Sequence, residues 1–209
     1  MKNLKFLIQK QAAQNELFIK AVQDKDYQSI ERLLNEQVDI DSRNSKGDSA
    51  MSIAIYHEDI EMIQYLISEH AELGSEDNHL LNLSIWSENQ KMIKLIFENS
   101  HLNRASMLRV LNLCLEQLYY ESFVYLFENS RVDIKLDELN IKKLLSHSCA
   151  ESEKIVTYFI NTLGFIFTET DLNKSIHPKM REFIEIFQTK EELKNTLPLQ
   201  LECATLHKI

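Results

Sequence analysis

The chain has 209 residues, 44% of them hydrophobic, with 23 Lys and Arg against 32 Asp and Glu and a formal net charge of −9. That balance disfavours nucleic acid and anionic membranes as partners, since both need a basic footprint. Three glycines and two prolines are too few for a turn-rich all-β fold, and the three cysteines, Cys114, Cys149 and Cys203, point to a reducing compartment rather than a disulfide framework.

In chain order, residues 1–14 read as a helix with Leu4, Leu7 and Ile8 on one face. Lys2 and Lys5 precede only Phe6, Leu7 and Ile8 before Gln9 interrupts, so a secretory signal is not expected. No apolar run approaches the ~18 residues of a membrane span. The stretch that sets the pattern is 46–54, KGDSAMSIA. Gly47 suits a tight turn, because a residue without Cβ takes positive φ at little cost. Ser49 is placed to cap a helix with its hydroxyl, and Met51, Ile53, Ala54 and Ile55 follow as a short apolar helix. His57, Glu58 and Asp59 break it, and Ile60, Ile63, Leu66 and Ile67 open a second helix face.

This helix pair recurs. Leu81, Asn82, Leu83 and Ser84 repeat Met51, Ser52, Ile53 and Ala54 at a spacing of 30, and Leu111, Asn112, Leu113 and Cys114 do so again. Phe97, Glu98, Asn99 and Ser100 reappear unchanged 30 residues later as Phe127, Glu128, Asn129 and Ser130. Ala21, Ile30, Leu33 and Leu34 precede their counterparts Ala54, Ile63, Leu66 and Ile67 by 33, and Leu144, Val156, Tyr158, Phe159 and Ile160 follow theirs by the same step. Five units are expected, at 15–43, 44–74, 75–103, 104–134 and 135–165. The helix at 1–14 and a segment at 166–188 are expected as caps, because stacked units need ends that shield the core. In the latter, Pro178 suits a helix start, with Met180, Phe183, Ile184 and Phe187 on one face. Residues 189–209 read as a last helix or a tail.

At this period, with a turn and two helices per unit, the chain resembles the ankyrin-repeat family. Residues 46–54 follow the shape of its helix-opening pattern: a turn glycine, a hydroxyl cap, a large apolar residue, then a small one. The family's repeat ending is echoed by Gln37, Val38, Asp39, Ile40 and Asp41 and by His70, Ala71, Glu72, Leu73 and Gly74. The pattern's proline and histidine are absent, and its turn glycine survives only at Gly47. The resemblance covers about residues 15–165 and implies an all-α solenoid with almost no strand. Ala21, Ala54, Ser84 and Cys114 then sit where first helices meet the next unit and only small side chains fit. His147 falls at the same place in the fifth unit, where it reads as local repacking rather than a buried titrating group.

Catalytic patterns are missing. The chain has no G-x-S-x-G, Walker, H-E-x-x-H or paired C-x-x-C pattern. His147 and Cys149 stand two apart, which on a helix points them to different sides. No catalytic residue, cofactor or metal is therefore expected. The resemblance implies a partner-binding concave side built from hairpin tips and the outer ends of first helices. It places Ser45, Lys46, Asp48, Tyr56 and His57 there, then Glu76, Asn78, Trp86 and Ser87, then Ser106, Leu108, Glu116 and Gln117, with Asp24 and Glu138 at the ends. Trp86, the one tryptophan, follows Tyr56 by 30 residues. It is either an interface anchor or a core residue folded over its own helix pair. The expected function is a monomeric, non-enzymatic protein-binding module whose acidic, aromatic face takes a basic segment of a partner. Its Asn, Lys and Ile usage resembles that of AT-rich bacterial genomes, so a cytoplasmic protein or an effector delivered into a host cell is expected. The alternatives are a regulatory or toxin-neutralising binder and, ranked lower, an enzyme with its chemistry in 166–209, which is short for an independent active site.

Overall fold

The computed structural model describes residues 2–73, 78–172 and 176–190, and the side chains from residue 6 onward. Among these residues there is no strand, only one antiparallel bridge between Arg43 and Ser49. The helices are α1 (Lys2–Gln23), α2 (Tyr27–Asn35), α3 (Ala50–Tyr56), α4 (Ile60–Ser68), α5 (His79–Trp86), α6 (Gln90–Asn99), α7 (Arg104–Gln117), α8 (Tyr120–Glu128), α9 (Ile141–Leu145) and α10 (Ala150–Asn161). A further helix, α11, occupies 178–190. The fold is the all-α helix-pair architecture expected from the repeats. The chain divides into two compact units, residues 1–110 with 128–132, and residues 111–127 with 133–209.

In the first unit α1 pairs with α2, α3 with α4 and α5 with α6, while α3 also packs against α1 and α5. Helices of seven to ten residues are too short to hold alone in water, so burial of one face stabilises them. Ile30, Met62, Ile63, Leu66, Met92, Ile93 and Ile96 are fully buried, each contributing on the order of 1.5–3 kcal/mol. Ala21, Ala54 and Ser84 are buried in the first helices of this unit, as their small size requires.

The joint between paired helices repeats without glycine. Lys25, Glu58 and Glu88 adopt left-handed φ of 56°, 52° and 56°. The Lys25 N–H donates to Val22 O and the Asp26 N–H to Ala21 O, which together close the end of α1 in a Schellman arrangement. Glu58 with Ile55, and Asp59 with Ala54, do the same. The next residue caps the second helix. Asp26, Asp59 and Asn89 accept from the N–H groups of Ser29, Met62 and Met92, at 3.1, 3.1 and 3.3 Å. Side chains of the joint then reach the following repeat. Lys25 Nζ lies 2.7 Å from Asp59 Oδ2, and Glu58 Oε2 accepts from Asn89 Nδ2 at 2.9 Å. A glycine could make the turn but not this bond.

The hairpin is well formed at Gly47, whose φ is 89°. Asn44 N–H donates to Asp48 O, and Asn44 Oδ1 accepts from the N–H of Lys46 and Asp48. Ser49 caps α3 as expected, accepting from Ser52 N–H, while Ser52 Oγ accepts from Ser49 N–H.

The second unit repeats the joint once, with Leu118 at φ 61° and Tyr119 N–H donating to Cys114 O. Its core is aromatic. Phe159 is fully buried, with ring centroids 5.5 Å from Phe123, 6.1 Å from Phe165 and 6.5 Å from Phe167. In α11 Met180 and Ile184 are buried and Phe183 and Phe187 half-buried.

Two expectations need correction. Residues 1–14 are not a separate capping helix: α1 runs unbroken from Lys2 to Gln23, because nothing in Gln9 to Asn15 stops a helix. Leu7 and Ile8 do not pack on the first repeat but stand exposed. The helix expected to carry His147 ends at Leu145, and His147 is exposed beyond it, its Nδ1 2.8 Å from Lys143 O. Residues 191–209 of the expected tail lie outside the described residues.

Candidate functional site

Two aromatic side chains end two neighbouring first helices. Tyr56 is the last residue of α3 and Trp86 the last of α5. Along α3 the buried residues run from Ala50 to Ile55, so the helix meets solvent first at Tyr56. Tyr56 is 78% exposed and Trp86 60%, which removes the core alternative for Trp86. His57 is exposed and stands edge-on to Tyr56, with ring centroids 5.4 Å apart. Two residues past each aromatic comes the exposed left-handed carboxylate of the joint, Glu58 after Tyr56 and Glu88 after Trp86. The result is a strip along the joint edge of α3 and α5 that repeats aromatic and carboxylate.

The other expected residues do not all join it. Asp48 precedes α3, whose seven residues rise about 10 Å, so it belongs to the opposite end of that helix from Tyr56. It is half-buried and accepts from Asn44 Nδ2 at 3.1 Å. Asn78 is not an exposed contact: it is buried at the start of α5, with φ of 49°, and its Nδ2 donates to Ser106 O at 2.8 Å. Ser106 is likewise fully buried rather than on the surface. Leu108 is half-buried, while Ser45, Lys46, Asp24, Gln117 and Glu138 are exposed and Ser87 is half-exposed. Glu116, in the second unit, is half-exposed and lies 3.6 Å from Lys143. Glu76 lies outside the described residues.

Glu58 and Glu88 were missed as site residues. The signal for them was the same 30-residue step that pairs Tyr56 with Trp86.

Burial pushes the Asp59 carboxyl up, but the hydrogen bond from Lys25, the Met62 N–H and the Lys25 charge outweigh it and hold its pKa below the ordinary carboxylate value. Hydrogen bonds from Ser45 hold Glu16 low, tying the hairpin tip back to α1. Burial pushes the Cys114 thiol up to about 12, so it stays protonated and inert. His147 is engaged with Lys143 O, and Cys149 Sγ lies 3.5 Å from Ser152 Oγ. Among the described residues no cluster of His, Cys, Asp and Glu could hold a metal, and no helix is long and apolar enough to cross a membrane.

Helix pairs repeating at 30 to 33 residues, joined by Schellman turns and packed first helix to first helix, define a helical-repeat protein. Residues 18–106 match the family model of ankyrin repeats in three copies, so this stretch of the chain is built of ankyrin repeats. Comparison with curated proteins found no match. Ankyrin repeats are in general protein–protein interaction modules, and the family is typically non-enzymatic.

Proposed function

We propose that this protein binds a basic segment of a partner protein along the strip of Tyr56, His57, Glu58, Trp86 and Glu88. The observation that carries the reading is the exposure of Tyr56 and Trp86 at equivalent helix ends, each followed two residues later by an exposed carboxylate. An exposed tryptophan and tyrosine in series are the residue types that anchor interfaces. Aromatic faces attract Arg and Lys, and neighbouring carboxylates steer them during encounter. A delivered effector and a regulatory or toxin-neutralising binder would both use such a strip, and the partner's identity separates them.

The experiment is affinity capture followed by surface-immobilised kinetics on the captured partner at low and high salt. Trp86→Ala should weaken binding by ~2 kcal/mol or more with helicity unchanged, as hot-spot truncations do. Glu58→Gln with Glu88→Gln should mainly slow association and flatten its salt dependence. Undiminished binding by Trp86→Ala refutes the reading.

A further inference from the structure

We propose that the first half of α1 is a docking arm that seats on the aromatic and acidic strip of a second copy of this chain, an inference that rests on the reading of that strip. Among the described residues nothing covers the arm. Every described side chain from Phe6 to Ala13 is exposed, and Phe6, Leu7 and Ile8 are exposed at 66%, 58% and 61%. Leu7 stands 11 residues before Phe18, and Ile8 11 before Ile19, which on a helix is three turns along the same side. Phe18 and Ile19 are buried. The core-facing stripe of α1 therefore continues past the last described residue that covers it, and a bare helix of this length is marginal in water.

Charge selects the occupant. Residues 1–15 contain Lys2, Lys5 and Lys10 and no carboxylate; taking those three charges from the total of −9 leaves −12 on the remaining residues. Two such arms repel each other, and an anionic bilayer that attracted the arm would repel the acidic remainder. The acidic body of a second copy attracts the arm, and in a two-fold pair two arm-to-body attractions offset the repulsion between the two bodies. Its strip offers Tyr56 and Trp86 to the apolar and cationic side chains, with Glu58 and Glu88 beside them. Fourteen helical residues extend about 20 Å, enough to cross both helix ends, since packed helices lie about 8–10 Å apart. Each copy has one arm and one strip, so two copies can satisfy both in a closed two-fold pair. The monomer expected from sequence is then the dilute or high-salt form.

The test is sedimentation equilibrium of the full chain over a range of concentration and salt. Self-association should appear at low salt. Leu7→Glu with Ile8→Glu should weaken it about thirtyfold or more, at least the loss of one hot spot. Both side chains are exposed in the single chain, so the melting curve should not move. Lys5→Glu with Lys10→Glu, and separately Glu58→Lys with Glu88→Lys, should each abolish association, while mixing these two variants should restore it as a heterodimer. A monomer at every concentration overturns the inference, as does association that survives Trp86→Ala, or an arm that binds phosphatidylserine vesicles while the chain stays monomeric. Partner binding measured on the Lys5→Glu, Lys10→Glu variant, with and without Trp86→Ala, reads the strip alone. Retained binding that Trp86→Ala removes would leave the strip standing even where the arm fails.

Discussion

The two units hold themselves together by different means. In the first, the joints are polar and periodic: Lys25 to Asp59 and Glu58 to Asn89, each linking the closed end of one helix to the cap of a helix in the next repeat. In the second, the joint residues are Leu118 and Tyr119, α9 is five residues long, and four phenylalanines, Phe123, Phe159, Phe165 and Phe167, form the centre. The family match covers 18–106 and stops before the polar joint gives way. Recognisable family character thus follows the turn chemistry. Helix pairs continue past it, because an apolar face suffices to stack a helix while only the turn needs particular polar residues.

The largest effect should come from the aromatic centre. Phe159→Ala should cost about 3–5 kcal/mol, the range for deleting a buried phenylalanine, read as a lower denaturant midpoint. A shift no larger than that of a surface substitution would dissolve the contrast between the units. Next, Ala54→Leu should cost ~1–3 kcal/mol, since overpacking forces apart helices that a small residue lets approach. Asp48→Ala, at the hairpin, is the control and should shift the melt less. Equal shifts would mean that Ala54 is not at a close contact.

Asp59→Ala tests the polar joint and should cost about 1 kcal/mol near neutral pH, the usual worth of an N-cap. The folded pKa of Asp59 is lowered, so its contribution is complete above the unfolded value of ~3.9 and is lost as pH falls through the folded value. The difference between wild type and variant should therefore shrink on acidification below ~4. A difference independent of pH would deny the carboxylate its role. The smallest effect lies in the backbone of the joint itself. Glu88→Gly should stabilise by about 0.5–1 kcal/mol, because a left-handed L-residue costs ~1–2 and glycine's extra freedom returns about half. Glu58→Gly relieves the same backbone but loses the bond from Asn89, so it should come out near zero. Equal gains in thermal melts would show that the cross-repeat bond contributes nothing.

Much of the fold was legible because periodicity is a property of many residues at once. The 30-residue step survives in Ala54, Ser84 and Cys114 and in the apolar faces of α4, α6 and α8, so losing most turn glycines did not hide it. The unread parts were local. The run from Gln9 to Asn15 is polar but helix-compatible, so polarity there looked like a boundary where none exists. Asn78 looked like a surface residue, yet its amide is used to bridge from α5 to Ser106, a contact 28 residues away that no local pattern encodes. Tyr56 and Trp86 end their helices, but the carboxylates beside them depend on a turn conformation that lysine, glutamate and leucine adopt here without the glycine that would announce it.

The joint between repeats also has a direction. If the second repeat melts, Lys25 remains in a left-handed turn with no carboxylate to meet. If the first repeat melts, Asp59 still caps α4 through the Met62 N–H. The coupling lost is the same in both cases, but what remains differs: an unpaired left-handed turn in one, a capped helix in the other. The turn at Lys25 should lose amide protection whenever α4 opens, while the Met62 N–H should stay protected by the Asp59 cap when α1 and α2 open.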